Sequence, residues 1–302
     1  MNTLDFFVCS YGLLHNRKFV PVRLLSPIRF FLRKIANWIL PFVIAKSNNN
    51  VVKKKWTKKR IIVSFTSFPG RIDSVWMVVE CMLRQSLLPD QIILWLSEEQ
   101  FPDKKIPKKL SNLIGSIFQV RFVPNDYRSH KKYIYSFEEF GNDVVITIDD
   151  DIFYPTTLVE SLIENYEKNP DSIICCYGKE FYEKENVLVK YNKWNDFFSL
   201  NSKNVFFGSG GGTLFIPSEL FKDVLNIDLA LKLCPYADDV WLNSMARMGN
   251  KRIKLISRRL ILPILNNDES KLCTRNVGQN LNDIQINNVC SYYNKKIFRE
   301  SL

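Results

Sequence analysis

The sequence predicts an α/β protein built on a mostly parallel central sheet, and three observations carry that expectation. From Arg60 onward, short apolar runs alternate with stretches of helical periodicity, the pattern of strands joined by crossover helices. The 302 residues are 46% hydrophobic, 24% charged and 13% aromatic, enough to bury a substantial core, which excludes long disorder, a collagen-like chain and a coiled-coil rod. The chain before residue 60 has a different character, which divides it into an arm over 1–58 and a folded domain over 59–302.

The arm is basic. Residues 1–60 carry 13 Lys/Arg against the single Asp5, a net +12 within a total of +11, so the remainder is close to neutral at −1. A nucleic-acid reader spreads its basic residues over a folded face; confinement of the charge to one arm fits an anionic surface better and argues against nucleic acid as a partner. The opening MNTLDFFVCS holds an acid and no base, and no small-residue cleavage site follows, so no secretory signal is expected. The longest uncharged apolar stretch in the arm, Ile35 to Ala45, is interrupted by Pro41 and falls short of the ~20 residues a membrane span needs. Ser26 and Pro27 read as a helix cap and first-turn proline. Ile28, Phe31, Leu32, Ile35 and Ile39 then recur at helical spacing, with Arg29, Arg33 and Lys34 on the other side. Such a helix can lie among lipid headgroups, where the later Lys53, Lys54, Lys55, Lys58, Lys59 and Arg60 add ~1 kcal/mol of attraction each near an anionic leaflet. It can equally pack on its own domain above a solvated Lys run, and both readings stay open. The 7 cysteines are spaced too irregularly for a disulfide framework or a zinc site. The expectation is therefore a cytoplasmic protein, peripheral on the inner face of the membrane if the arm binds lipid.

The domain opens with the strand RIIVSFTS (Arg60 to Ser67), Pro69 and Gly70, and a helix over about 73–85. QIILWL (Gln91 to Leu96) follows a Pro89 turn, and a Lys/Pro-rich connection with a short helix leads to FQVRFV (Phe118 to Val123). A helix around 132–140 precedes DVVITID (Asp143 to Asp149). Four strands and three crossovers in about ninety residues match the size of a nucleotide-binding half-sheet. A helix over 156–169 shows Leu158, Val159, Leu162, Ile163 and Tyr166 on one face, and the strand SIICCY after it makes Cys175 and Cys176 small core residues. Beyond residue 178 the pattern loosens to an aromatic-rich stretch, a glycine cluster, a strand near 213–216, and helices near 218–225 and 238–248. The Asn-rich tail from Asn266 shows no clear period.

The strongest chemical signal is Asp149, Asp150 and Asp151 at the end of the fourth strand. If the strand continues through them, Asp149 and Asp151 share one side and Asp150 takes the other. Two carboxylates at a strand's carboxyl end, where open α/β sheets bind ligands, form a hard-oxygen site for Mg²⁺ or Mn²⁺. At ~4 Å two anions repel by about 1 kcal/mol in water and ~4 at an effective dielectric of 20, a cost that a divalent cation removes. Thr66, Ser67 and Arg71 lie where the first strand meets its helix and can reach a nucleotide, although Thr66 and Ser67 are also natural caps.

This run, with SFTSFPGRI on the first strand and QSLLPDQIILWLS linking to the second, resembles nucleotide-sugar-dependent glycosyltransferases of the GT-A fold. It is similar to the bacterial enzymes that build capsular or lipopolysaccharide glycans, over about residues 60–250. The resemblance divides the domain into a nucleotide-binding half over 60–151 and an acceptor-side half and tail over 152–302. It implies that the acidic run holds Mn²⁺ or Mg²⁺ on a nucleotide diphosphate, with Asp151 as direct ligand, Asp149 on ribose or metal, and Asp150 near the donor sugar. Asp126, in NDYRSHKKY (Asn125 to Tyr133), resembles the acid that bonds the nucleotide base. Arg128, Lys131 and Lys132 become diphosphate contacts, one lysine facing solvent; His130 has the charge setting of a hydrogen-bonding loop residue more than of a base. Gly208 to Phe215 places four glycines in five positions before a strand, so Gly210 and Gly211 can bring backbone N–H groups close to the donor. Asp238 and Asp239 open a helix, where acids gain ~0.3–1 kcal/mol from its dipole; by resemblance Asp239 is the general base of an inverting transfer and Asp238 orients the acceptor. Trp194 and Trp241 can stack on sugars or serve as buried structural residues. No histidine follows His130, so the metal-completing His of some GT-A branches is missing, which favours the inverting branch.

The expected activity is transfer of a sugar from a nucleotide donor, UDP-linked, to a surface glycan or lipid-linked glycan. One rival is a phosphotransferase of the haloacid-dehalogenase type, which needs its DxD after the first strand and a Thr or Val where Phe153 stands. The other is a non-enzymatic membrane or glycan-binding module, which gives the acidic run no task.

Overall fold

Continuous apolar runs in the strands, whose successive side chains point to opposite faces, produce a sheet with a core on each face. The computed structural model describes residues 2–15, 22–46, 53–196, 198–256, 262–265 and 280–299. Two helices lead, α1 (Thr3–His15) and α2 (Val22–Lys46). They are followed by β1 (Ile61–Thr66), α3 (Val75–Leu83), β2 (Gln91–Ser97), the single turn α4 (Lys108–Ser111), β3 (Phe118–Val123), α5 (Lys131–Glu139) and β4 (Val144–Ile148). Next come β5 (Ile152–Phe153), α6 (Leu158–Lys168), β6 (Ser172–Cys175) and three short strands, β7 (Gly178–Glu180), β8 (Glu183–Lys184) and β9 (Val187–Leu188). The chain continues through β10 (Val205–Phe207), β11 (Gly211–Phe215), α7 (Ile227–Leu233), α8 (Asp238–Met248), β12 (Arg252–Leu255), β13 (Leu262–Pro263) and α9 (Leu281–Tyr292).

Seven strands form the central sheet in the order β12-β6-β11-β4-β1-β2-β3. All neighbours are parallel except β11, which runs antiparallel to both β4 and β6. The fold is thus α/β, Rossmann-like, with a mostly parallel sheet. Ile61, Val63, Phe65, Ile92, Leu94, Val144 and Ile146 point into one core, shared with α3, α6 and the arm helices. Ile62, Ile93, Trp95 and Val145, the alternate residues, point into the other with α5, α7 and α8.

The arm packs on the domain through one side. Leu4, Phe7, Val8 and Tyr11 of α1 and Ala36, Leu40 and Ile44 of α2 belong to the first core. Asp5 accepts from the Thr156 backbone and hydroxyl at 2.8 and 2.7 Å, and Asn37 donates to the Pro263 carbonyl and accepts from the Leu265 N–H. Three expectations are corrected here. The helix starts at Val22, so Pro27 stands in its second turn and not its first, and Pro41 also lies inside it; each proline deletes one backbone bond, and the burial of Ala36, Leu40 and Ile44 holds the helix across Pro41. The apolar face divides: Leu32 and Ile39 lean on the core, while Ile28, Phe31 and Ile35 are exposed. The helix expected over 218–225 is two 3₁₀ turns, Pro217–Glu219 and Lys222–Leu225, because Leu220 and Phe221 take extended backbone angles between them. The unexpected α7 follows, capped by the Asn226 side chain accepting from the Leu229 N–H. The tail residues 266–279 and 300–302 lie outside the described residues, but 281–292 form α9, packed on the second core through Ile286 and Val289.

Candidate active site

The carboxyl ends of β1 and β4, the start of α5, the glycine loop before β11 and the start of α8 meet at one place. β4 ends at Ile148, before the acidic run, so the three aspartates lie on a turn and not along a strand. Asp150 is buried and turns toward β1, accepting from Ser67 Oγ at 2.6 Å and Arg71 Nη1 at 2.9 Å. The same Nη1 lies 3.0 Å from Asp151 Oδ2. Asp149 faces the other way, 2.7 Å from Lys132 Nζ. Asp149 and Asp151 keep 40% and 31% of their side-chain surface, so this is the open pair.

Across the site Asp238 is buried at the start of α8, 3.2 Å from Lys132 Nζ and 2.7 Å from Ser209 Oγ. Asp239 beside it is half-buried and accepts from the Ser209 N–H at 2.7 Å. Lys132 therefore spans the site, touching Asp149, Asp238 and Ser209 Oγ. Two backbone locks fix the loop. The Tyr154 hydroxyl accepts from the Asp149 N–H and donates to the Gly210 carbonyl, and Thr147 Oγ1 donates to the Ser209 carbonyl at 2.7 Å. Gly210 has no alternative, since a Cβ there would fall 1.8 Å from Asp149 Oδ2. Gly212 has φ +91°, open only to glycine without strain.

Five carboxylates against Lys132 and Arg71 leave a formal charge of −3 when all are ionised. The titrations reflect that excess. Burial and then the Asp149 charge push the Asp151 carboxyl up to about 6. Burial and then the Asp238 charge push Asp239 up to about 7. Burial also works against Asp238, but Lys132 and hydroxyl donors hold it down at about 2. Burial raises Asp150 despite Arg71 and Ser67. Burial alone would lower Lys132, yet Asp149, Asp238 and Asp239 keep it above its ordinary value, so it stays charged. Among the described residues no group of three or more His, Cys, Asp or Glu is placed to hold an ion. The donor set that does exist, two half-buried carboxylates, is of the hard-oxygen kind that suits Mg²⁺ or Mn²⁺ better than a tetrahedral zinc.

The remaining expected residues take other positions. Thr66 Oγ1 donates to the Trp95 carbonyl at 2.7 Å. Neither Thr66 nor Ser67 caps a helix; the caps are Arg71 and Ser74. Both lysines are buried, a correction to the expectation that one faces solvent: each has a carboxylate of its own, Asp126 for Lys131 and Asp149 with Asp238 for Lys132. Asp126 also accepts from Gln100 Nε2 and the Arg128 N–H. Arg128 is exposed, donating to the Pro235 carbonyl with its guanidinium 4.5 Å from the Tyr236 ring centre. His130 is fully buried between the Cys234 carbonyl and the Tyr133 hydroxyl, and burial lowers its pKa, which makes it a neutral structural residue. Trp194 and Trp241 are buried too, donating to the Val189 and Val224 carbonyls, and so offer no face to a sugar. Gly211 opens β11 with its N–H donating to the Gly208 carbonyl. Ser209, Tyr154 and Asn243, which ties Phe207 to the Asp239 carbonyl, escaped sequence reasoning. Only Ser209 carried a signal, as the one non-glycine within the glycine cluster.

No protein-family model and no curated protein sequence matches this chain. Among solved structures it is similar to a 4-diphosphocytidyl-2C-methyl-D-erythritol synthase, at 12% identity over 74% of this chain and 99% of that one, TM-score 0.42. It is similar to S. aureus TarS 1–349 in complex with UDP, at 11% identity over 67% of this chain and 59% of that one, TM-score 0.42. A CMP:2-keto-3-deoxy-manno-octonic acid synthetase complexed with CTP matches at 10% identity over 75% and 99%, TM-score 0.43. Likeness at this level carries no argument about function, which rests on the geometry above.

Proposed function

We propose that the chain is a metal-dependent glycosyltransferase that moves a sugar from a nucleotide donor, UDP-linked, to a cell-surface glycan, with inversion. The observation that carries this reading is the surplus of negative charge at the carboxyl ends of β1 and β4, with its two open carboxylates. That surplus would repel a nucleotide diphosphate, and an anionic ligand belongs here only with a cation between. Asp149 and Asp151 are the residues to hold that cation, and when bound it neutralises the diphosphate as the glycosidic bond breaks.

The chain's own groups divide the remaining work. Asp150, fixed by Ser67, holds Arg71 at the edge of the site, where the guanidinium also meets Asp151. Thr66, Gly210 and Gly211 line the donor side, and Asp126 stands half-buried at the far rim with Lys131 and Arg128 around it. Asp239 takes the proton of the acceptor hydroxyl as the oxygen attacks the anomeric carbon. Its pKa of about 7 lets it accept a proton near neutral pH and release it afterwards. Asp238, held ionised by Lys132 and Ser209, orients the acceptor and keeps its neighbour basic. The phosphotransferase reading has less support: the end of β1, where it needs an aspartate pair, carries Ser67 and Phe68.

The test is calorimetric binding of UDP and of GDP, each with Mn²⁺ and with EDTA. Binding of one nucleotide only with the metal supports the reading and identifies the donor class. Absence of binding in all four conditions rejects it.

A further inference from the structure

Among the described residues, one side of α2 has no partner in the fold. The helix buries Ala36, Leu40 and Ile44, and its backbone and side chains are anchored by Arg84 donating to the Ile44 carbonyl and by Asn37 at the β13 segment. On the opposite side Ile28, Phe31, Ile35, Trp38 and Phe42 follow one another at spacings of three and four, and all are exposed, Trp38 by 73%, Phe42 by 62% and Phe31 by 61%. At 1.5 Å per residue they form one line about 21 Å long. Five large apolar side chains in a row are unusual on the surface of a soluble monomer and mark a contact surface.

The charge around the line indicates what covers it. No acidic residue occurs between Asp5 and Asp73, a stretch with 14 Lys/Arg. Lys34 is exposed on the flank of the stripe, its ammonium 4.6 Å from the Phe30 ring centre, and Lys46 is exposed at the end of the helix. The lysine run lies near that same end, because Lys54 exchanges backbone hydrogen bonds with Ser86 and Leu88, just past the Arg84 that holds Ile44. Lys54 and Lys58 pair with Glu160 and Glu167, while Lys53 and Lys55 are exposed. A second copy of this chain would bring the same cations against each other. The aromatic line with cations on its flank and at its end complements a surface that is apolar below and anionic above.

We propose that α2 docks in the plane of an anionic lipid bilayer, with Ile28, Phe31, Ile35, Trp38 and Phe42 inserted at the headgroup–acyl boundary and Lys34, Lys46, Lys53 and Lys55 against the headgroups. No helix among the described residues is long and apolar enough to cross a membrane, so the contact is one of lying on the surface. The inference does not rest on the proposed transfer reaction.

Flotation of the full chain with vesicles tests it. Vesicles of phosphatidylcholine with phosphatidylglycerol are expected to carry the chain upward, with at least tenfold weaker partition to phosphatidylcholine alone and in high salt. The double substitution Trp38→Ser with Phe42→Ser, and separately Lys34→Glu with Lys46→Glu, should each lower partition about tenfold or more, a loss of roughly 1.4 kcal/mol. These side chains are exposed, and an unchanged circular dichroism spectrum checks that the fold is kept. Brominated acyl chains should quench Trp38 emission, and the quenching should vanish in Trp38→Phe, since the other five tryptophans are buried or half-buried. A chain that stays unbound with both vesicle types overturns the proposal. So does an association state, measured by light scattering, that the serine variant dissolves without any vesicle binding, which would assign the stripe to a second copy.

Discussion

The two acidic groups of the site, one after β4 and one opening α8, are built alike despite their different origins. In each, one carboxylate is buried and held by a cation and a serine: Asp150 by Arg71 and Ser67, Asp238 by Lys132 and Ser209. In each, the following residue is left more open with a raised pKa, Asp151 at about 6 and Asp239 at about 7. The held member fixes geometry in both; the charge that raises the open residue comes from Asp238 in the α8 group and chiefly from Asp149 in the β4 group. The difference lies in the cations. Arg71 pairs with Asp150 and Asp151 of the β4 group, whereas Lys132 joins Asp149 of that group to Asp238 of the other. The site is therefore two similar halves linked by one ammonium, and each half and the link can be broken separately.

Breaking the open member of the first half should have the largest effect. Asp151→Asn is expected to lower transfer about a thousandfold, roughly 4 kcal/mol, and to abolish the metal dependence of nucleotide binding while thermal stability holds or rises. Transfer at the wild-type rate would remove Asp151 from the cation site. Breaking the link comes next. Lys132→Met leaves Asp149 and the buried Asp238 without their cation and should cost about 3 kcal/mol of stability, read as a fall in the urea midpoint. It should also raise the Asp238 pKa, since Lys132 is the main influence holding it down against burial. An unchanged midpoint would mean that the two halves are independent. A smaller effect is expected from Gly210→Ala, whose new methyl meets the Asp149 carboxylate; displacing that side chain should cost about 2 kcal/mol and weaken metal-dependent binding more than Gly211→Ala does, a ranking that paired titrations check.

The acidic members of both halves were legible because the signals are local: a carboxylate run after an apolar strand, and an acidic pair at a helix start. The link was not. Lys132 lies 17 residues from Asp149 and far from Asp238 in sequence, and its reach depends on α5 lying along β1, where Ser64 donates to the Lys132 carbonyl at 2.5 Å. Nothing in NDYRSHKKY distinguishes the lysine that bridges the halves from the one that pairs with Asp126. The end of β4 was misplaced for a related reason, since an apolar run marks a strand's interior, whereas its end here is set by Tyr154 and Gly210 locking the Asp149 backbone. In the arm the periodicity of α2 was legible but not which apolar residues the domain would cover, because that depends on the position of α1, α3 and β13.

The smallest effect on stability separates the two halves most clearly and concerns Asp239. An ordinary aspartate ionises near 3.8, and in the fold Asp239 does so at about 7, with Asp238 and Lys132 the charges facing it and the Ser209 N–H its donor. Below about pH 4 the carboxyl is protonated in folded and unfolded chains alike. Between pH 4 and 7 the unfolded chain has released the proton and the folded chain has kept it, so stability falls as pH rises and the loss is complete above 7. Asp239→Asn removes that penalty. Solvent reaches the half-buried carboxyl and screens the pair, so the variant should gain about 1 kcal/mol at pH 8 and nothing at pH 4, measured by urea unfolding at both values. Activity should move the opposite way: wild-type transfer should rise with pH through about 7 as the base ionises, and the variant should lose transfer at every pH while binding nucleotide with metal as before. A stability difference independent of pH would show that the Asp239 carboxyl is not raised and would leave the α8 half without a base poised for neutral pH.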